Sequence, residues 1–324
     1  MRFLRGMLLL ALMAVGVVGF YFYLPFGPEQ ETFVDIPAGT GTQAMAAQLE
    51  QAGIVRSRYA FEALKMLQGG ALKAGEYRFD HAVPVGDVYA RILKGDVYTR
   101  TLVIPEGFNI FDIAQAVEAA GLGSKVEFLA AERKHMELIQ QWQPGAASLE
   151  GYLFPDTYRF SRHATAQMMV AAMVKRFGQM MGRLGAGQTL DVARIVTVAS
   201  LVEKEVHIDA ERAVVAGVFE NRMAAGMPLQ TDPAVVYGSL LRGTWTGVIH
   251  QSELHSDSAY NTYVHAGLPP GPICNPGVAA LKAAMRPAKT GYLYFVADAA
   301  GATRFSKDIK EHEAQVAAYR ASGR

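Results

Sequence analysis

The sequence predicts an α+β chain: an apolar N-terminal helix, a repeated strand–turn–helix segment, and a mostly helical later half that carries a small sheet. Three observations predict it. Residues Met7 to Leu24 form an uncharged run, two segments match at a constant offset of 68 positions, and long helical patterns dominate after Phe160. A length of 324 residues allows two or three domains with a sizeable core.

The 18-residue run Met7–Leu24 is just long enough to cross a bilayer as a helix. Arg2 and Arg5 precede it, which places residues 1–6 in the cytoplasm and exports the chain from about residue 30 onward. A cleaved signal peptide is the competing reading. The aromatic run Phe20–Tyr23 and the lack of a small-x-small cleavage site favour a retained anchor, and the lack of a cysteine there excludes a lipoprotein.

The repeat pairs Ile36-Pro37-Ala38-Gly39 with Ile104-Pro105-Glu106-Gly107. The same offset pairs Ala46 with Ala114, Glu50 with Glu118, Ala52 with Ala120 and Gly53 with Gly121. Each copy (36–54 and 104–122) reads as a short strand, a Pro-x-Gly turn and an amphipathic helix stopped by a left-handed glycine. Between the copies, Ala74–Phe79 reads as a strand. Val88–Leu93 reads as a short helix, with Asp87 as its N-cap and Gly95 near its end. Strand plus helices at this size resembles the LysM-like module of cell-wall proteins, which assigns 30–98 to glycan contact or to a spacer role. The second copy, at 102–122, opens the remaining domain, 99–324.

Ser148–Phe160 reads as a turn-rich junction. Helices are then expected over Ala164–Leu184, Asp191–His207 and Asp209–Ala225, with Asp209 as an N-cap and Gly226 as a stop. A loop-rich region follows. Val278–Met285 returns to helix, Tyr292–Ala297 and Thr303–Ser306 make a hairpin around Gly301, and Glu311–Ala321 closes the chain as a helix.

Composition and motifs exclude several chemistries. With 31 basic and 30 acidic side chains the formal charge is +1, which argues against a nucleic-acid partner. The single cysteine, Cys274, permits no internal disulfide and no cysteine-rich zinc site. There is no His-Glu-x-x-His, so zinc hydrolysis is not expected, and there is no Gly-x-Ser-x-Gly elbow or phosphate-cradling glycine loop.

Carboxylates remain. Val192, Ile195, Val196, Val198, Ala199 and Val202 cover more than half the circumference of the helix from Asp191, marking it as buried and central. Glu203 and Glu205 close it, about 160° apart at the helical period, so only one of them can face a given groove. Helical geometry alone does not choose between them. Downstream come Gln230, Thr231 and Asp232 in MPLQTDP, then Tyr260, Asn261 and Tyr263 in AYNTY. Glycan clefts use this mixture: aromatic faces for sugar rings, amides for N-acetyl groups and hydroxyls. A helix-borne glutamate, a Gln-x-x-Pro loop and a Tyr-Asn helix start, in that order, resemble the lysozyme-like lytic transglycosylases.

The resemblance narrows with EGYLFPDTY (150–158), ASLVEKE (199–205), LQTDPAVVYG (229–238), AYNTY (259–263), GLPPGPICNPG (267–277) and GYLYFVAD (291–298). These segments look like the endolytic murein transglycosylases, the MltG or YceG-like family, and the likeness runs from the anchor to the last helix. It implies an inner-membrane anchor with the bulk of the chain in the periplasm, a LysM-like subdomain and a catalytic domain related to lysozyme. The implied substrate is the peptidoglycan glycan strand, cut between N-acetylmuramic acid and N-acetylglucosamine to leave 1,6-anhydro ends, with peptidoglycan synthases as partners. The superfamily's Glu-Ser pair falls on Glu205 followed by Val206, so the supporting serine is absent. On the same alignment Gln230 becomes the cleft glutamine, Tyr260-Asn261 the Tyr-Asn pair, and Tyr263, Thr231 and Asp232 further contacts. Glu150 and Asp156 are expected to give structural support. A lysozyme-like hydrolase and a non-catalytic cell-wall scaffold are the alternatives.

Overall fold

The computed structural model describes residues 2–185, 190–298 and 302–321. The chain divides into two compact units, Met1–Arg100 and Thr101–Arg324.

The first unit begins with α1 (Arg2–Val18), which widens into a π-helical turn over Gly19–Tyr23. Phe3–Tyr23, with a mean hydropathy of 2.2 over its 18-residue window, is long and apolar enough to span a membrane, and only its end touches protein, where Phe22 packs half-buried against the core. β1 (Thr32–Ile36) leads through α2 (Thr42–Gln51) and α3 (Arg58–Gln68) to β2 (Gly75–Phe79), and α4 (Val85–Lys94) follows. β1 and β2 pair antiparallel, with Thr32 opposite Phe79 and Ile36 opposite Gly75. Ile36, Leu49, Phe61, Tyr77, Tyr89 and Ile92 form the core between sheet and helices. α4 starts earlier than the sequence suggested. Pro84 takes the cap position, its ring fixing φ at −59°, and Asp87 lies inside the first turn, where its charge suits the helix dipole. Gly95, expected near the end of this helix, is its C-cap and takes the left-handed region.

The second unit opens with β3 (Arg100–Val103), then α5 (Ile110–Ala119) and α6 (Lys125–Lys134). β4 (Thr157–Phe160) pairs with β3. α7 (Ala166–Arg183), α8 (Val192–Glu205), α9 (Asp209–Ala224), α10 (Asp232–Arg242), α11 (Gln251–Leu254) and α12 (Val278–Met285) follow. The antiparallel hairpin of β5 (Tyr294–Ala297) and β6 (Thr303–Ser306) and then α13 (Ile309–Ala321) complete it. The hairpin tip assigned to Gly301 lies outside the described residues. α8 is the axis: Ile195 through Glu203 are all buried, with α9, α10 and α12 packed around them. Asp209 is the first residue of α9 and not its cap; extended Ile208 holds that position, and Gly226 stops the helix at φ 66°. α10 and α11 occupy the region read as loops. The segment after Tyr260 is a series of turns and not a helix start, because the Asn261 amide turns back onto the carbonyls of Glu253, Leu254 and Ser256.

The repeat is visible in the elements. α2 and α5 begin and end at the same 68-residue offset. Gly39 and Gly107 take φ of 86° and 79° before the helix, and Gly53 and Gly121 take 68° and 65° after it. The Ile54 amide reaches back to the Leu49 carbonyl at 2.8 Å, and Leu122 to Val117 at 3.1 Å, so both helices close with the same left-handed stop. The starts differ. Asn109 and Asp112 make a reciprocal capping box on α5, whereas Gly41 offers α2 no side chain.

Candidate active site

The two glutamates at the end of α8 have opposite fates. Glu203 is buried; its Oε1 accepts from Arg212 Nη1 at 3.0 Å and its Oε2 from the Gly277 amide at 3.0 Å. Arg212 also donates through Nε to Asp209 at 3.0 Å. Both Glu203 oxygens are therefore committed to joining α8, α9 and the start of α12. Glu205 is half-buried and receives no hydrogen bond from the described residues. Burial pushes its carboxyl up to about 7; Asp232 adds to the rise and Arg222 opposes it. Its place at a helix C-terminus, where the dipole disfavours a negative charge, works in the same direction. The result is a free carboxyl poised to hold a proton near neutral pH and then to release it.

The wall facing Glu205 is the loop between α9 and α10. Arg222, buried in the last turn of α9, grips this loop through Nη1, whose two hydrogens are shared among the Pro228 carbonyl at 3.1 Å, the Leu229 carbonyl at 2.9 Å and Gln230 Oε1 at 3.3 Å. Its Nε donates to the Leu293 carbonyl at 2.7 Å, and the guanidinium lies over the Tyr294 ring at 5.1 Å. Gln230 is exposed and holds φ at 55°, the one positive φ outside glycine among the described residues. That conformation costs a side-chain-bearing residue roughly 1–2 kcal/mol. Behind it, the Gln230 amide donates to the Thr262 carbonyl and the Thr231 amide to Thr262 Oγ1, both at 2.9 Å. The Tyr263 hydroxyl donates to Asp232 Oδ1 at 2.7 Å; burial raises its own titration, and the charges of Asp232 and Glu205 raise it further.

Glu205, Gln230, Asp232 and Tyr263 are thus brought together. Thr231 and Asn261 are buried behind them. The Asn261 amide nitrogen is spent on three backbone carbonyls and its oxygen on the Tyr263 amide, so it fixes Tyr263 in place. Tyr260 packs edge-on against Tyr237 at 5.1 Å, on the side of Glu150, and burial lifts its hydroxyl to about 12. Glu150 is fully buried; its oxygens accept from the Ile110 amide at 2.9 Å and from Asn275 Nδ2 at 2.8 Å, and burial raises its carboxyl to about 8. Asp156 pairs with Arg176 Nε at 2.6 Å. Both acidic residues therefore brace loops. Sequence reasoning missed Arg222. The signal was there: it follows Val215 and Phe219 at helical spacing, a charge on the buried stripe of α9.

Fold and site define a helix-rich protein with one half-buried carboxyl, Glu205, raised toward neutral titration beside Arg222, Asp232 and Tyr263. A family model described as the YceG-like family matches residues 34–318. The chain is 31% identical over 298 residues to the endolytic murein transglycosylase of Bacillus subtilis (strain 168), covering 86% of this chain and 82% of that protein. It is also 31% identical over 348 residues to the endolytic murein transglycosylase of Streptococcus pneumoniae serotype 2 (strain D39), covering 95% of this chain but 63% of that longer protein. A crystal structure of a yceG-like protein from Listeria monocytogenes superposes with a TM-score of 0.60 at 31% identity, covering 89% of this chain and 99% of that one. The chain belongs to the YceG-like family.

Proposed function

We propose that this chain is an endolytic murein transglycosylase in which Glu205 is the single acid and base. The carrying observation is its unpartnered carboxyl, raised to about 7 and facing the Gln230 loop, Asp232 and Tyr263. Protonated Glu205 donates to the glycosidic oxygen between N-acetylmuramic acid and N-acetylglucosamine. Positive charge develops at the muramic C1, with the 2-acetamido group assisting. The Glu205 carboxylate then takes the proton of the muramic C6 hydroxyl, whose oxygen closes onto C1 to give the 1,6-anhydro ring. The sugar supplies the nucleophile, so a second protein carboxylate is not required as it is in two-carboxylate hydrolysis. Gln230, Tyr263 and Tyr260 orient the sugars, Asp232 orders Tyr263, and Thr231 and Asn261 hold these groups from behind. No cofactor or metal takes part.

In this reading residues 7–24 anchor the protein in the inner membrane, with residues 1–6 cytoplasmic and the remainder periplasmic. Segment 30–98 is a LysM-like subdomain and 99–324 the lysozyme-like catalytic domain. An anchored enzyme meets newly made strands beside their synthases and ends their elongation. Mass spectrometry of muropeptides after incubation with the protein tests the reaction. Products ending in 1,6-anhydro-N-acetylmuramic acid support it; reducing ends, one water heavier, would assign Asp232 the second-carboxylate role of a hydrolase.

A further inference from the structure

Three features of the α9–α10 loop converge on one side-chain amide. A buried guanidinium, Arg222, spends its Nη1 on the loop carbonyls of Pro228 and Leu229 and on the side chain of Gln230. Gln230 keeps a left-handed backbone that glycine would adopt freely, so its side chain is retained against the preference of the chain. The backbone of Gln230 and Thr231 is pinned to Thr262 independently of that side chain. The amide is therefore not needed to hold the loop, and it stands exposed in the wall that faces Glu205.

A guanidinium carries five donors and no acceptor. The atom of Gln230 that meets Arg222 must then be the carbonyl oxygen, and the NH2 group is left facing outward. We propose that Arg222 is a positioning residue that fixes the polarity of the Gln230 amide, so that the cleft presents an N–H donor to an acceptor oxygen on the bound glycan. The inference rests on the glycan-cleaving reading of the site. It adds a specificity element there: the sugar must offer a lone pair at this position, and a substrate with a donor in its place meets a second donor. The charge of Arg222 also bears on Glu205, whose proton affinity it lowers. The same residue thus sets both the binding contact and the pH range of the acid.

The experiment uses the full-length protein in detergent with purified, uncross-linked glycan strands, measuring kcat and KM from pH 5 to 9. Gln230→Glu keeps the shape and pairs with Arg222 but has no N–H to offer. Its KM is expected to rise at least about tenfold, with kcat at the optimum changed less than about threefold and melting temperature unchanged or raised. Arg222→Met frees the amide to rotate and removes the charge; it is expected to raise KM by a similar factor and to move the alkaline limb of the profile to higher pH, with Arg222→Lys restoring the limb. A KM for Gln230→Glu within twofold of wild type overturns the proposal, even where wild type cleaves normally. Absence of cleavage by wild type would instead sink the underlying enzymatic reading. Should Arg222→Met fail to fold, the exposed Gln230 variant still decides.

Discussion

Glu205 carries the sharpest expectations at the scale of single residues. Glu205→Gln cannot donate and retrieve a proton, and since general acid–base help is worth roughly 10²–10⁴-fold, cleavage is expected to fall at or beyond the upper end. The same substitution should stabilise the fold. In the folded state the carboxyl titrates near 7, against about 4.5 when free, so folding costs nothing through this group below pH 4.5, progressively more from there to pH 7, and its full cost above. Melting curves of wild type should therefore drop between pH 5 and 8 more steeply than those of Glu205→Gln, by an amount on the order of 1–3 kcal/mol at pH 8. Parallel curves would sink the assignment of the raised titration. Glu203→Gln should behave inversely. It leaves buried Arg212 short of its partner, and urea unfolding should show a loss of about 3 kcal/mol, with cleavage retained at temperatures where the variant stays folded. The helical period showed that only one glutamate could face a cleft, but not which. The answer lies in Arg212 and Gly277, 9 and 74 residues away, whose contact with Glu203 no local pattern carries.

Elements were legible where local chemistry fixes them. The ends of the two repeated helices follow from left-handed glycines, and the presence of α8 and α12 from their apolar runs, all local features of the chain. α10 was hidden by its start. Thr231-Asp232-Pro233 reads as a turn, yet proline fits the first turn of a helix, where its missing N–H is no loss. The cleft wall was read as a set of motifs, and its clamp, Arg222, escaped because its partners are mostly backbone carbonyls that no sequence displays. The repeated helices offer a matched test. Asn109→Ala removes the capping box of α5 and should cost about 1 kcal/mol of second-unit stability in urea. Gly41→Ala, at a cap position with extended backbone and open space, gives up glycine's cap preference but restricts the unfolded chain by a similar amount, so first-unit stability should change by no more than a few tenths of a kcal/mol. Equal losses in the two variants would mean that the capping box contributes nothing.

For the whole molecule, the anchor proposed at residues 7–24 is expected to stay uncleaved, on the aromatic run Phe20–Tyr23 and the lack of a small-x-small cleavage site after it. Intact-mass measurement of protein extracted from membranes should give the full chain, and a mature form starting after residue 20 would refute the anchor. That the helix-rich half is built around α8, marked by its apolar run from Val192 to Val202 as buried and central, could be read from the sequence. The stitching of the second unit could not, since it runs through Asn275: its Nδ2 donates to the Phe108 carbonyl across 167 positions, and its Oδ1 accepts from the Leu153 amide across 122. These closures have a kinetic consequence. Contacts of such high sequence separation form only after large loops close, so the second unit is expected to fold more slowly than a helical bundle closed by local contacts. The strap that Ile273, Cys274 and Gly277 lay along α8 lies late in the chain, so a polypeptide made N-terminus first cannot close these contacts until residue 277 has emerged. Glu205 therefore has its neighbours Arg222, Asp232 and Tyr263 available before Glu203 can gain Gly277, so the two glutamates of α8 acquire their surroundings at different stages of synthesis.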